Sequence, residues 1–132
     1  MNILLQLYAC TPDRGGEFAV SWQLLKQLDA RAKSNDCIYV VSLTLKREDI
    51  CNLTHVKLIE VPDVQRWSFL APLDYIIWQY LAYKTLAKKK IHIDIVQAYS
   101  LSDYRMPGFW YKLNCRSILG PIGGGDRTVQ IA

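Results

Sequence analysis

The sequence predicts an α/β fold built on a doubly wound parallel sheet, in one domain spanning residues 1–132. Three observations predict it. Short, nearly unbroken apolar runs such as "ILLQLYA" and "CIYVVSL" read as strands buried on both faces, as strands of a parallel sheet are. Segments with apolar residues at steps of three and four separate several of these runs, as helical crossovers do. The loops after the first and last runs are rich in glycine, and in such sheets the loops at the strand C-termini form the ligand rim.

Residues 3–9 give the first strand, and residues 10–16 carry Pro12, Asp13, Gly15 and Gly16, which is loop chemistry. From Phe18 the spacing turns helical through Trp22, Leu25 and Leu28, and the helix fades near Ala32, where "KSND" closes it. Residues 37–43 give the second strand, and the polar "KREDICN" follows as a loop or short helix. "VKLIEV", residues 56–61, alternates as a third strand and Pro62 ends it. The longest helical segment, residues 69–90, reads "FLAPLDYIIWQYLAYKTLAKKK". Pro72 suits its first turn, and Lys88, Lys89 and Lys90 suit its last, where cations face the negative end of the helix dipole. "DIVQAY", residues 94–99, is a fourth strand, "RMPGFWYKLN" a loop with a short helix, and "RSILGP" a fifth strand that runs into "IGGGD". The order β-α-β-β-α-β-α-β is Rossmann-like. No repeat, low-complexity tract or Ser/Gly linker interrupts it.

Composition narrows the class. With 51% hydrophobic and 21% charged residues, a packed core is expected and disorder is not. The net charge of +4 is mildly basic, which suits phosphates or an anionic membrane surface as partners. The mixture of aromatic and basic residues matches no nucleic-acid motif. Cys10, Cys37, Cys51 and Cys115 form no C-x-x-C pair, and His55 and His92 stand in no metal-ligand spacing, so no metal is expected. Cysteines in or beside strand-like runs pack as small hydrophobes, which predicts reduced thiols and a cytoplasmic location. The opening "LYAC" superficially matches a lipoprotein cleavage box, but no positive segment precedes it and the apolar run is short, so a buried strand is the reading. No apolar run is long enough for a transmembrane helix.

Three loops fall on the predicted rim. In "TPDRGGEF", Gly15 and Gly16 lack Cβ atoms, so their N–H groups can approach an anion, and the helix N-terminus at Glu17 adds partial positive charge. A tight strand-to-helix turn, with Glu17 favouring the dipole, explains the same residues. The pattern is not G-x-G-x-x-G, and the nearest acids, Glu48 and Asp49, come too late to hold a ribose, so a nicotinamide dinucleotide site is disfavoured. In "AYSLSDYRMPG", Arg105 holds an anion or caps a helix. In "GPIGGGD", Gly123, Gly124 and Gly125 precede Asp126, as a ligand loop or as a hinge. On the long helix, Tyr75, Trp78, Tyr80 and Tyr83 stand with Lys84, Lys88, Lys89 and Lys90. Aromatics with a basic end fit peripheral contact with an anionic membrane, and equally a sheet-packing helix with a solvated end.

Taken together, "YACTPDRGGEFAVSW", "DYIIWQYLAYKTLAKK", "DIVQAYSLSDYRMPGF" and "GPIGGGD" resemble, in order and spacing, the N-terminal half of family-4 glycosyltransferases of the GT-B fold. The resemblance covers nearly the whole chain. It implies a single N-terminal GT-B half-domain, the acceptor-side half of a retaining transferase. Such an enzyme moves a sugar from a nucleotide-sugar co-substrate to a glycan or lipid-linked acceptor, usually without metal or other cofactor. Cell-envelope or exopolysaccharide synthesis is the family's commonest setting. Carried over, Gly15, Gly16 and Glu17 would line the interdomain cleft with the glycine amides near the donor diphosphate. Arg105, Gly123, Gly124 and Gly125 would lie on the same rim. The resemblance also implies a cytoplasmic protein at the inner face of the membrane, and a second half, in this gene or in a second polypeptide, that grips the nucleotide. Relatives often carry histidine just after the fourth strand's "DIV", where Gln97 and Ala98 stand here. No counterpart of the donor-binding half lies in residues 1–132, so the chain alone is expected to be inactive. A non-catalytic interaction module and the remnant of a longer gene are the competing expectations.

Overall fold

Five parallel strands form one sheet in the computed structural model, which describes residues 1–8, 10–13, 15–61, 71–100, 109–113 and 115–119. The strands are β1 (Asn2–Leu7), β2 (Cys37–Val41), β3 (Val56–Ile59), β4 (Ile95–Ser100) and β5 (Arg116–Leu119). Their spatial order is β3-β2-β1-β4-β5. The chain winds outward from β1 to β3, then crosses back to β4, so the order reverses between β1 and β4. That reversal is the switch point of a doubly wound sheet. The Rossmann-like α/β class predicted from the apolar runs is therefore the observed one.

Two helices cover the sheet from opposite sides. Helix α1 (Glu17–Arg31) links β1 to β2, and helix α2 (Ala71–Lys89) links β3 to β4. Successive strand side chains point to opposite faces. Leu5 and Leu7 of β1 accordingly join Leu25, Ile38, Val40 and Val56 in the core under α1. Leu4 joins Val41, Ile59, Val96, Trp78, Ala82 and Leu86 in the core under α2. The 3₁₀ turns Arg47–Ile50 and Trp110–Lys112 stand in the β2–β3 and β4–β5 connections. Helix α2 closes at Lys90, whose φ of 53° is the left-handed conformation of a C-terminal cap.

Among the described residues, the polar side chains of Gln6, Ser21 and Gln79 are buried, and that of Gln6 lies in the central strand. Gln6 has no exposed surface, and its Oε1 accepts a hydrogen bond from Trp110 Nε1 at 2.7 Å. The bond crosses 104 residues of chain and ties the turn before β5 to the central strand. Beside it the β1–β4 ladder slips: Gln6 pairs with Ala98, but Leu7 pairs with Ser100. Tyr99 is the extra residue, and it packs against the α1-side core.

Carboxylates hold the N-terminal edge of the sheet. Asp94 accepts from the Asn2 N–H at 2.7 Å, while Asn2 O accepts from the Asp94 N–H at 2.8 Å. Asp36 accepts from the Lys33 N–H at 2.9 Å and from the chain's N-terminal ammonium at 3.2 Å. Asp29, at the end of α1, accepts from the N–H groups of His55 at 2.7 Å and Thr54 at 3.3 Å, just before β3.

Two expected outcomes follow from these contacts. Gln6→Ala leaves a cavity and strands the Trp110 N–H without an acceptor, which should cost about 3 kcal/mol of unfolding free energy in a denaturant titration. Backbone N–H bonds hold the Asp94 and Asp36 carboxyls below the ordinary carboxylate range, with His92 and the N-terminus adding to the respective shifts. A depressed folded pKa contributes stability that is fully present above the unfolded value and is lost as pH falls through the folded one. Thermal melts taken from neutral pH down through the carboxylate range should show that loss. Asp94→Asn should be less stable at neutral pH and show a shallower acid limb.

Candidate functional site

The loop from β1 to α1 leaves the C-terminal edge of the sheet beside the switch point. Hydroxyls, not carboxylates, hold it. Thr44 Oγ1 accepts from the Cys10 N–H at 2.8 Å and donates back to Cys10 O at 2.8 Å. The Leu43 N–H bonds to Tyr8 O at 3.1 Å. Ser42 Oγ accepts from the N–H groups of Thr44 at 3.3 Å and Leu45 at 3.2 Å, turning the chain out of β2. The Cys10 thiol is fully buried, and burial, reinforced by the nearby Asp49 charge, pushes its pKa up to about 12. A thiol so placed stays protonated at neutral pH and is a poor nucleophile.

Gly15 and Gly16 stand exposed at the head of α1. Gly16 is the N-cap residue, with φ 63° and ψ −137°, a region that side chains avoid. Its carbonyl accepts the first helical bond, from the Val20 N–H at 3.1 Å. No side chain caps the helix at that position. The first-turn N–H groups have no intrahelical acceptor, and they carry the positive end of the dipole. Gly15 is not left-handed, and a Cβ built there meets no heavy atom within 4 Å outside its chain neighbours. Among the described residues, two buried hydroxyls near this junction find no hydrogen-bond partner, Thr11 Oγ1 in the loop and Ser21 Oγ one turn into α1.

The predicted site residues fare differently. The structure sets Gly15, Gly16 and the backbone of Glu17 at one strand-to-helix junction on the sheet's C-terminal edge. Arg105, Gly123, Gly124 and Gly125 lie outside the described residues. Two open clefts that sequence reasoning missed lie on the same edge. One, of about 580 Å³, opens between the turn after β2 and the end of β3, lined among others by Ser42, Lys46, Leu58 and Glu60. The Arg47 Nε to Glu60 Oε1 ion pair, at 2.7 Å, joins two of its lining residues. The other, of about 420 Å³, is lined by Thr11, Asp13, Leu43, Thr44, Lys46, Glu48 and Asp49. The signal for both was the polar run after the second strand, which by itself says only loop.

Among the described residues, no group of three or more His, Cys, Asp or Glu side chains is arranged to hold a metal ion. No described helix is long and apolar enough to cross a membrane. Comparison with protein-family models, with curated proteins and with solved structures gives no match to this chain.

The two glycines should respond oppositely to alanine. Gly16→Ala forces a Cβ into the left-handed region and should cost about 1–2 kcal/mol. Gly15→Ala, with open space in front of it, should be neutral or stabilising by about 0.5 kcal/mol, because it narrows the unfolded ensemble. Denaturant melts of the two variants would check this. Equal losses would show that the junction is not divided in this way.

Proposed function

We propose that the chain is the acceptor-side, N-terminal half of a retaining glycosyltransferase, with the β1–α1 junction facing the donor diphosphate of a nucleotide-sugar. The acceptor in this reading is a glycan or a lipid-linked glycan. The nucleotide is gripped by a second half, carried in a longer chain or in a second polypeptide. The protein works at the cytoplasmic side of a membrane, in peripheral contact with it.

The observation that carries the reading is the exposed glycine junction at the head of α1 beside the switch point of a parallel sheet. A helix N-terminus with close backbone approach favours a dianion, and ligands of such sheets bind at this edge. A departing nucleoside diphosphate gathers negative charge, and oriented N–H groups stabilise it without reorganising as the bond breaks. Gln97 and Ala98 hold the positions after Val96 in β4, and neither side chain can titrate. The part assigned to this half is therefore electrostatic and positional, not acid–base.

On this reading, residues 1–132 alone should bind nucleotide-sugars weakly and turn over none of them. A single open face enforces no near-attack geometry, and its N–H groups compete with water. Two-dimensional NMR with a panel of nucleoside diphosphate sugars should shift the Gly15 and Gly16 amide signals at millimolar ligand. Gly15→Val, which fills the open space without demanding a left-handed backbone, should abolish those shifts and leave the fold unchanged. Glycine signals that stay put across the panel would sink the diphosphate role, and turnover by the chain alone would sink the assignment as one half.

A further inference from the structure

The two sides of α2 differ in kind. Trp78, Ala82 and Leu86 form the buried stripe, and Trp78 packs edge-on against Tyr8 with ring centroids 5.0 Å apart. Trp78 is 1% exposed, so this one of the four aromatic residues weighed for membrane contact belongs to the core. The outward side carries a different set. Ile76, Ile77 and Tyr80 are exposed by 38%, 38% and 41%. Lys84 and Lys88 continue the same stripe toward the C-terminus at steps of four, both exposed.

The turn at residues 110–112 widens this stripe. Phe109 stacks edge-on with Tyr80 at 5.4 Å between centroids. Lys112 Nζ stands 5.8 Å from the Phe109 ring and Lys84 Nζ 5.7 Å from the Tyr80 ring. The result is an apolar and aromatic end, then a cationic border. Asp74, in the first turn, is the acidic residue of α2, and from Ile76 to Lys89 there is none. Among the described residues, none of Lys84, Lys88 and Lys112 forms an ion pair.

We infer that this side of α2 docks flat on an anionic lipid surface. Ile76, Ile77 and Tyr80 enter the boundary between headgroups and acyl chains, and Lys84, Lys88 and Lys112 meet the phosphates. Charge complementarity selects an anionic partner. The exposed isoleucines select a membrane over a nucleic acid, because phosphates on a duplex offer them no apolar medium to enter. The helix lies in the plane of the surface, as its lysine-rich end and buried inner stripe require. The inference deepens the peripheral-contact part of the function proposed above and does not depend on the transferase part.

The test is flotation of the whole chain with vesicles, without donor or acceptor. Vesicles of equimolar phosphatidylglycerol and phosphatidylcholine should carry the protein at low salt, and vesicles of phosphatidylcholine alone should not. Removing lysines, as Lys84→Ala with Lys88→Ala, should lower the partition about fivefold for each one lost, with the remaining binding weaker in salt. Ile76→Ser with Ile77→Ser should lower it by at least about tenfold. Circular dichroism melts show whether each variant stays folded, which surface substitutions should. Absence of binding to the anionic vesicles at low salt would overturn the inference. So would indifference to the isoleucine pair combined with equal binding to duplex DNA, which would assign the lysines to a polyanion. Because no sugar is present, failure here leaves the glycine amide shifts of the donor experiment standing, and failure there leaves vesicle binding standing.

Discussion

The structure depends on burying β1 on both faces and pairing it on both edges. Leu4, Leu5, Gln6 and Leu7 have no exposed surface, and β2 and β4 take both of the strand's backbone edges. A strand so placed has no solvent side, so each of its side chains must find a core or a partner. Leucine meets the demand by packing. Gln6 meets it through the Trp110 indole, and that bond reaches the turn ahead of β5. The residue that looks least suited to the central strand therefore pins the outermost element of the sheet to it.

The two ends of the sheet are built with different chemistry. At the N-terminal edge, Asp29, Asp36 and Asp94 accept from backbone N–H groups where the chain enters or nears a strand. Charge-assisted bonds of this kind are the stronger class, and they fix the loops there. At the C-terminal edge the neutral hydroxyls of Ser42 and Thr44 take a share of the connections, beside Asp49, which accepts from the Lys46 N–H. At the junction where α1 begins, Gly16 brings no side-chain cap of its own, and the first turn carries the positive end of the helix dipole, which favours anions.

Much of the fold was legible because a parallel sheet writes itself as unbroken apolar runs. The strand order along the chain followed from those runs, yet their ends did not. The second run extends to Leu43, but the strand stops at Val41 because Ser42 turns its hydroxyl back onto the Thr44 and Leu45 amides. The third stops at Ile59, before Glu60, which pairs with Arg47. Contacts such as Cys10 with Thr44, Asp29 with His55 and Gln6 with Trp110 depend on tertiary approach and leave no local trace. The role of Trp78 was half legible. Its spacing to Ala82 and Leu86 marks one helical stripe, but spacing alone does not say which stripe faces the sheet. Of the candidate site, the glycine pair was visible as composition, but the difference between its members was not.

That difference separates two demands that one dipeptide obscures. Gly16 answers the chain: with φ 63° and ψ −137° it makes the turn from strand to helix that a residue bearing Cβ makes only under strain. Gly15 answers no demand of the fold. Its backbone is not left-handed, and nothing outside its chain neighbours lies within 4 Å of where a Cβ would stand. A side chain there would restrict the unfolded chain and stabilise the protein by about 0.5 kcal/mol. Glycine forgoes that stabilisation and leaves clear space before the first turn of α1. Such space has no packing value in a free chain. It lies before the positive end of the α1 dipole, where negative charge is favoured.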